Sequence, residues 1–236
     1  RGHSYFYLNN SDAAIEDYKK AIKYKALPPE MGYMFLGLTY SNKEAWKEAD
    51  DYYQRVIDRF IEEGLGNSPL LIDTYTNKAV AASRLGKYEE AHQLCKKAIA
   101  IQPDDPAIYL AEGKLYIQEN QKKKAVKSFD KALTMEPSAE MWYMVASAYS
   151  DAEYLYQAKL CFQEAYRIDP NYADIAEKLS VLSLMHNEID DFFKYNNESE
   201  HPISEDIILE LLSRPNQTEE GEQMLKAKDV LLASGS

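Results

Sequence analysis

The feature that most constrains this chain is an internal repeat. Five segments share a leading alanine, an aromatic residue or cysteine four positions later, and alanine or valine three positions further on: Ala14-Tyr18-Ala21, Ala49-Tyr53-Val56, Ala91-Cys95-Ala98, Ala125-Phe129-Ala132 and Ala158-Phe162-Ala165. The leading alanines are 35, 42, 34 and 33 residues apart. Offsets of four and three place these residues on one face of a helix. A period near 34 residues therefore predicts a stack of two-helix units.

A second set of residues recurs in the same register. A small residue stands twelve positions before each leading alanine, at Gly2, Gly37, Ala79, Gly113 and Ala146. Aromatic residues stand nine positions before four of these alanines and sixteen before four, at Tyr5, Tyr40, Tyr116 and Tyr149 and at Tyr33, Tyr75, Tyr109 and Trp142. Small residues let the helices of a hairpin approach closely, and aromatic rings fill the space between hairpins. The prolines 103, 137 and 170 are placed to end second helices.

In these residues the chain resembles the tetratricopeptide repeat (TPR) family over about residues 1–170. The resemblance implies an all-α fold, a right-handed α-solenoid of helix hairpins. We expect an array over residues 1–199, with units at about 1–28, 29–69, 70–105, 106–138 and 139–171 and a degenerate unit at 172–199. In the degenerate unit Phe192 replaces the leading alanine, and the second helix is expected to be short. Residues 200–236 are predicted to form an acidic helical cap or linker, with helices at 204–213 and 218–232.

The repeat is interrupted between its second and third units. The spacing there is eight residues longer than in the other units, and the extra length falls at residues 62–69. Because Ile61 would extend an apolar stripe, we expect two lengthened helices around a Gly/Asn/Ser/Pro turn. Ser68 is the expected cap of a helix that begins near Pro69.

Charge and cysteine content exclude several classes of protein. The formal net charge is −12, of which −8 falls after residue 186, so nucleic acid is not an expected partner. No run approaches 18 apolar residues, so no membrane span is predicted. Two cysteines are too few for a disulfide-rich scaffold or a four-cysteine zinc site. The start at Arg1 leaves the compartment open, with the cytoplasm slightly favoured.

No catalytic or metal-binding pattern emerges from the residues that usually carry chemistry. The four histidines are scattered over different units, and Cys95 and Cys161 are expected to be buried in separate second helices. The carboxylate pairs at residues 50–51 and 104–105 are expected on helix surfaces or in turns, and the lysines at 122–124 in a solvated turn. We therefore expect no enzyme activity and no cofactor.

The resemblance also implies a binding site, because first helices of TPR hairpins line a concave groove that takes a peptide or a partner helix. The groove phases select Phe6, Tyr7, Met31, Met34, Leu38, Asn42, Thr76, Val80, Arg84, Leu110, Lys114, Ile117, Tyr143 and Ser147. The basic clamp of chaperone-binding members is absent, since those phases carry Met34, Leu38, Asn77, Ala107 and Ala111. Arg84 and Lys114 could together bind one acidic group of a partner. The alternative is that each is solvated or paired with a neighbouring carboxylate.

Two functions remain open at this stage. The preferred one is a non-enzymatic protein–protein interaction scaffold that binds an apolar peptide or helix, with one acidic group as a candidate contact. The alternative is a regulatory or assembly domain of a larger signalling or secreted-complex protein, in which the groove packs against the protein's own domains. The step from fold to binding is made by analogy in both.

Overall fold

The computed structural model describes residues 10–64, 66, 68–186 and 188–204, which form eleven α-helices and no strand. The chain divides into two compact units, Arg1–Glu136 and Pro137–Ser236. The first contains α1 (Ser11–Lys23), α2 (Pro29–Asn42), α3 (Trp46–Glu62), α4 (Pro69–Arg84), α5 (Tyr88–Ile101), α6 (Pro106–Gln118) and α7 (Lys122–Met135). The second contains α8 (Ala139–Asp151), α9 (Leu155–Ile168), α10 (Ile175–Met185) and α11 (Ile189–Glu198). The all-α prediction is confirmed.

Neighbouring helices pair as hairpins, each with a first and a second helix. The pairs are α2 with α3, α4 with α5, and α6 with α7 in the first unit, and α8 with α9 and α10 with α11 in the second. In the first unit α4 also packs against both α2 and α6, so three first helices lie side by side. Helix α1 carries the Ala14 motif and packs on α2. The repeated alanine motif is buried throughout, apart from a partly exposed Ala21.

Close approach within a hairpin depends on the small residue of the repeat. A Cβ atom at Gly37 would overlap the ring of Tyr53, and one at Gly113 would overlap the ring of Phe129. Both rings are fully buried, and burial raises the pKa of Tyr53 to about 12. The aromatic ring of the second helix therefore fills the space that a side chain on the first helix would otherwise occupy.

The turns inside the first four hairpins, α2–α3 to α8–α9, share one geometry. The second residue after the first helix has a left-handed backbone, with φ of 57° at Glu44, 75° at Gly86, 57° at Asn120 and 62° at Glu153. The amide of the following residue donates to the carbonyl five positions back, as in Lys87 N to Ala82 O at 2.9 Å and Tyr154 N to Tyr149 O at 2.9 Å. These are Schellman caps, which satisfy carbonyls left open at the helix end.

A cation from the second helix covers the first-helix tyrosine in three consecutive hairpins. The Arg55 guanidinium lies 5.8 Å from the centre of the Tyr33 ring, and the Lys97 ammonium lies 5.6 Å from that of Tyr75. In the α6–α7 hairpin, Lys131 Nζ lies 4.0 Å from the centre of the Tyr109 ring. Each pair holds its two helices together and keeps a charge at the surface.

The interrupted joint is partly as predicted. Helices α3 and α4 have 17 and 16 residues and are the two longest described, and α4 begins at Pro69. Ser68 precedes α4 but its side chain makes no capping hydrogen bond. The stripe prediction for Ile61 is wrong: Ile61 is 69 % exposed, and the buried stripe ends at Phe60. Five residues of α3 follow Ile57, and of the two apolar ones only Phe60 faces the core.

Two predictions about charged residues are wrong. Asp50 is buried in α3 and forms ion pairs with the buried Lys78 of α4 and with Lys87, whose Nζ lies 2.8 Å from Asp50 Oδ2. The packing of α3 against α4 brings these groups together, which a linear sequence does not reveal. The three lysines at 122–124 form the first turn of α7 rather than a loop, although they are exposed as expected.

The degenerate hairpin has the short second helix that the sequence predicts. Helix α11 has only ten residues, and Phe192 is buried at the place of the leading alanine. Asn196 stands where the other units have an apolar residue. Its Oδ1 accepts a hydrogen bond of 2.8 Å from Ile203 N, which holds the segment after the helix against α11. The predicted helices at 204–213 and 218–232 lie outside the described residues, except for Ser204.

Candidate partner-binding face

The candidate site lies on the three first helices of the first unit. We call the outward sides of α2, α4 and α6 the first-helix face. Along α4 this face follows Asp73, Asn77, Val80 and Arg84, which are spaced four, three and four residues apart and so share one side of the helix. The second helices cover the opposite sides through the hairpin contacts described above. Phe6 and Tyr7 lie outside the described residues.

Four of the predicted groove residues form a layer beneath this face. Their exposed fractions are 5 % for Met34, 9 % for Thr76, 6 % for Leu110 and 8 % for Ile117. Met34 Sδ accepts a hydrogen bond of 3.5 Å from Thr74 Oγ1, so the Met34 side chain bridges α2 and α4. Thr76 Oγ1 donates to Ile72 O at 3.0 Å. The repeat phase selected these residues for a groove surface, but the close spacing of the first helices buries them.

The predicted residues that reach the surface are mixed in character. Leu38 and Val80 are partly exposed at the same level of α2 and α4, and Met31 is exposed near the amino end of α2. Asn42 and Arg84 are exposed at the carboxyl ends of α2 and α4, and Lys114 is partly exposed on α6. The surface is therefore an apolar strip with polar and charged groups along its sides.

The side formed by the carboxyl ends of the helices is basic. The Arg84 guanidinium lies 5.5 Å from the centre of the Trp46 ring. With its amide oriented to suit both neighbours, Gln118 accepts from Arg84 Nε at 3.1 Å and donates to Ser83 Oγ at 2.8 Å. Lys114 lies one turn before Gln118 on the same side of α6. In the repeat register Lys114 stands at the level of Leu38 and Val80, and Gln118 at the level of Arg84.

The opposite side, at the amino ends of the helices, is acidic. Asp105 caps α6, because its Oδ1 accepts from Ala107 N at 2.9 Å. Asp73 lies in the first two turns of α4, and burial together with the nearby Asp105 carboxylate raises its pKa. A carboxylate whose pKa is raised in this way favours a cation placed beside it.

The predicted site residues of the second unit are engaged with one another. Tyr143 OH donates to Asp174 Oδ1 at 2.5 Å, and its ring makes edge contacts with Phe162 and Tyr172. Burial and the Asp174 carboxylate raise the pKa of Tyr143 well above its usual value, while a hydrogen bond with Ser147 opposes the shift. This cluster orients Tyr143 toward α10 of its own unit.

Sequence reasoning did not anticipate a polar cleft in the second unit. It has a volume of about 190 Å³ and lies between the start of α10 and the end of α11, lined by residues that include Asp174, Glu177, Glu198 and His201. No group of three or more His, Cys, Asp and Glu side chains able to hold a metal ion occurs among residues 10–64, 66, 68–186 and 188–204. None of the described helices is both long and apolar enough to cross a membrane.

Helix hairpins of this register, with side-by-side first helices, define an α-solenoid repeat protein. Profiles of the tetratricopeptide repeat match residues 30–104, 83–148, and 1–26 together with 139–172. The chain belongs to the tetratricopeptide repeat family. Protein–protein interaction is the general role of proteins with this fold.

Curated relatives are distant and much longer than this chain. It is 28 % identical over 182 residues to human protein O-mannosyl-transferase TMTC3, which covers 70 % of this chain and 20 % of that protein. It is 27 % identical over 146 residues to a DnaJ homolog subfamily C member 7 homolog from Dictyostelium discoideum, covering 58 % of this chain and 27 % of the relative. The chain thus spans about a fifth to a quarter of their lengths.

Solved structures agree with the fold. The TPR protein TTC0263 from Thermus thermophilus has a TM-score of 0.63 and 21 % identity, over 78 % of this chain and 95 % of that one. Yeast Tom70 has a TM-score of 0.60 and 17 % identity, over 94 % of this chain and 44 % of Tom70. At these identities the likeness shows the fold alone.

Proposed function

We propose that this protein is a non-catalytic interaction scaffold whose first-helix face binds a peptide or helix of a partner protein. The observation that carries the proposal is the apolar strip of Met31, Leu38 and Val80 at the surface of α2 and α4, two of the three side-by-side helices. Apolar side chains left at a surface and flanked by polar ones are typical of interaction sites.

The same face offers two kinds of contact. Leu38 and Val80 present branched apolar groups, and Met31 presents a flexible thioether that adapts to different partner side chains. The polar groups around them, Asn42 and Arg84 among them, fix the orientation of whatever lies on the strip. The buried layer of Met34, Thr76, Leu110 and Ile117 acts below the surface, where it holds the three helices at a fixed spacing.

The proposal is tested with a double substitution of Leu38→Glu and Val80→Glu. Both side chains are partly exposed, so the variant is expected to retain its helical circular dichroism and lose partners captured from its native cell and identified by mass spectrometry. Ile61→Glu is the matched control, because Ile61 is exposed on α3 away from this face. Undiminished capture by the double variant contradicts the proposal. Leu110 is unsuitable for this purpose, since a charge at so buried a position unfolds the hairpin.

A second candidate is a regulatory or assembly domain of a larger protein, with the face covered by that protein's own domains. The observation that favours it is the length of the curated relatives, in which the matched region is about a fifth to a quarter of the chain. Cross-linking of the natural gene product separates the two. Cross-links from Lys114 to other parts of the same chain support the second candidate, and cross-links only to other proteins support the first.

A further inference from the structure

First helices in this chain contact their successors through fixed repeat positions. Met34 on α2 stands fifteen residues before its leading alanine, and its Sδ accepts from Thr74 Oγ1 on α4 at 3.5 Å. Ser83 on α4 stands eight residues before Ala91, and Gln118 of α6 donates to its Oγ at 2.8 Å. The residues at these two positions therefore face the next first helix.

On α10 the corresponding side is apolar and uncovered. Phe192 stands at the place of the leading alanine, so Leu184 takes the position that Ser83 has on α4. Ser83 is 4 % exposed, whereas Leu184 is partly exposed, and its neighbours Val181 and Met185 are 41 % and 61 % exposed. Within the described part of the chain α11 is the last helix, so none follows α10 as α6 follows α4. We call Val181, Leu184 and Met185 the open side of α10.

The chain leaves α11 directly against this hairpin. Ile203 packs on Phe192, and Asn196 holds its backbone at both polar atoms. Ile203 N donates to Asn196 Oδ1 at 2.8 Å, and Asn196 Nδ2 donates to Ile203 O at 3.2 Å. Five residues lie between the end of α11 at Glu198 and Ser204, and three to six separate each earlier second helix from the first helix that follows it. The spacing therefore fits a further first helix that begins near Ser204.

From these observations we infer that residues 204–213 form a helix that docks on the open side of α10, in the place that α6 has beside α4. Its apolar stripe covers the open side and consists of Ile207, Ile208, Leu211 and Leu212. The occupant is a segment of this chain, and the open side is closed to other proteins. The inference goes beyond the proposed function and does not depend on it, because it concerns the second unit alone.

The segment matches the open side in chemistry and in place. Offsets of one, four and five residues put its four apolar side chains on one side of a helix, and Asp206 and Glu210 fall on the opposite side, in solvent. The segment begins one residue after Ile203, so its effective concentration at α10 is on the order of millimolar. A partner in trans has to displace it.

Hydrogen exchange of the full chain tests the docking. A helix of ten residues is marginal in water by itself, so its amides exchange slowly only when it is docked. We expect protected amides at residues 207–212. The variant that combines Val181→Glu with Met185→Glu is expected to speed their exchange about tenfold or more. Met31→Glu is the matched control, because it places the same charge at an exposed methionine of the first unit.

A second measurement changes the segment instead of α10. The variant that combines Leu211→Glu with Leu212→Glu is expected to release the segment. Peroxide then oxidises Met185 about two- to five-fold faster, because the reagent reaches its thioether more freely. Met31 of the same chain is the internal control, and its oxidation rate is expected to stay unchanged.

Four outcomes overturn the inference. The first is unprotected amides at residues 207–212 in the unsubstituted chain, and the second is protection that the substitutions at Val181 and Met185 leave unchanged. The third is an oxidation rate of Met185 that does not respond to the substitutions at Leu211 and Leu212. The fourth is protection that rises with protein concentration, which assigns the open side to a second copy of the chain.

Discussion

At the residue scale, the most consequential group outside the first-helix face is Asp50. Its carboxylate is buried between α3 and α4, where it accepts hydrogen bonds from Lys78 and Lys87, and Lys78 also pairs with Glu90 at 2.9 Å. Burial alone would raise the pKa of Asp50, but the two ammonium groups outweigh it and lower the pKa below its usual value. The ion pairs therefore link the α2–α3 hairpin to the α4–α5 hairpin.

Asp50→Asn is expected to destabilise the protein by about 3–5 kcal/mol, because it leaves the buried Lys78 ammonium without its main counter-charge. The folded-state pKa is lower than the unfolded one, so this stabilisation is present above about pH 4 and is lost as the pH falls through the folded pKa. Urea unfolding at several pH values measures both effects. Asp51→Asn, at the exposed neighbour, is the control, and an equal loss in both variants contradicts the argument.

Gly113 carries a second prediction at this scale. A methyl group there overlaps the Phe129 ring, so Gly113→Ala is expected to lower the free energy of unfolding by about 1–3 kcal/mol despite the better helix propensity of alanine. Because the cause is crowding, the loss should shrink when Phe129→Leu is already present. Chemical denaturation of the four proteins of this double-mutant cycle gives the coupling. A cost unaffected by the ring substitution rules out the proposed contact.

At the scale of helices and turns, the repeated Schellman caps place some residues in a backbone conformation that their side chains disfavour. In the four hairpin turns described above, the left-handed position is glycine at residue 86, while Glu44, Asn120 and Glu153 adopt the same backbone at a steric cost. The hydrogen bonds of the cap, including Tyr154 N to Tyr149 O, hold these residues in place.

Glu153→Gly is therefore expected to raise the free energy of unfolding by about 0.5–1 kcal/mol, since glycine adopts this conformation without strain. Gly86→Ala, the reverse change at the equivalent turn, is expected to lower it by a similar amount or more. Thermal unfolding followed by circular dichroism measures both. Shifts of the same sign in the two variants would show that backbone strain does not control these turns.

At the scale of the whole molecule, the sequence predicted the hairpins well because their determinants are periodic. The alanine motif and the small residues at Gly37 and Gly113 fix which faces meet within a hairpin, and those contacts lie a fixed number of residues apart. Helix ends could also be predicted from the sequence, since Pro69 marks the start of α4.

Contacts between hairpins could not be predicted from the sequence in the same way. The burial of Met34 depends on how closely α2 approaches α4, and the pairing of Asp50 with Lys78 depends on the packing of α3 against α4. Neither distance follows from periodicity. For the candidate site, the repeat phase selected residues of the first helices, but it did not distinguish the surface strip from the layer beneath or anticipate the role of Asp105.

The position of Arg84 over Trp46 has an optical consequence. An indole beneath a guanidinium emits in an electric field that depends on where that cation lies, and Trp46 is one of only two tryptophans in the chain. The other, Trp142, belongs to the second unit. Any event that draws Arg84 away from the ring changes the emission of a chromophore at the border of the first-helix face. The protein thus contains a native fluorescent reporter beside Arg84, and a change at that residue can be followed without a label.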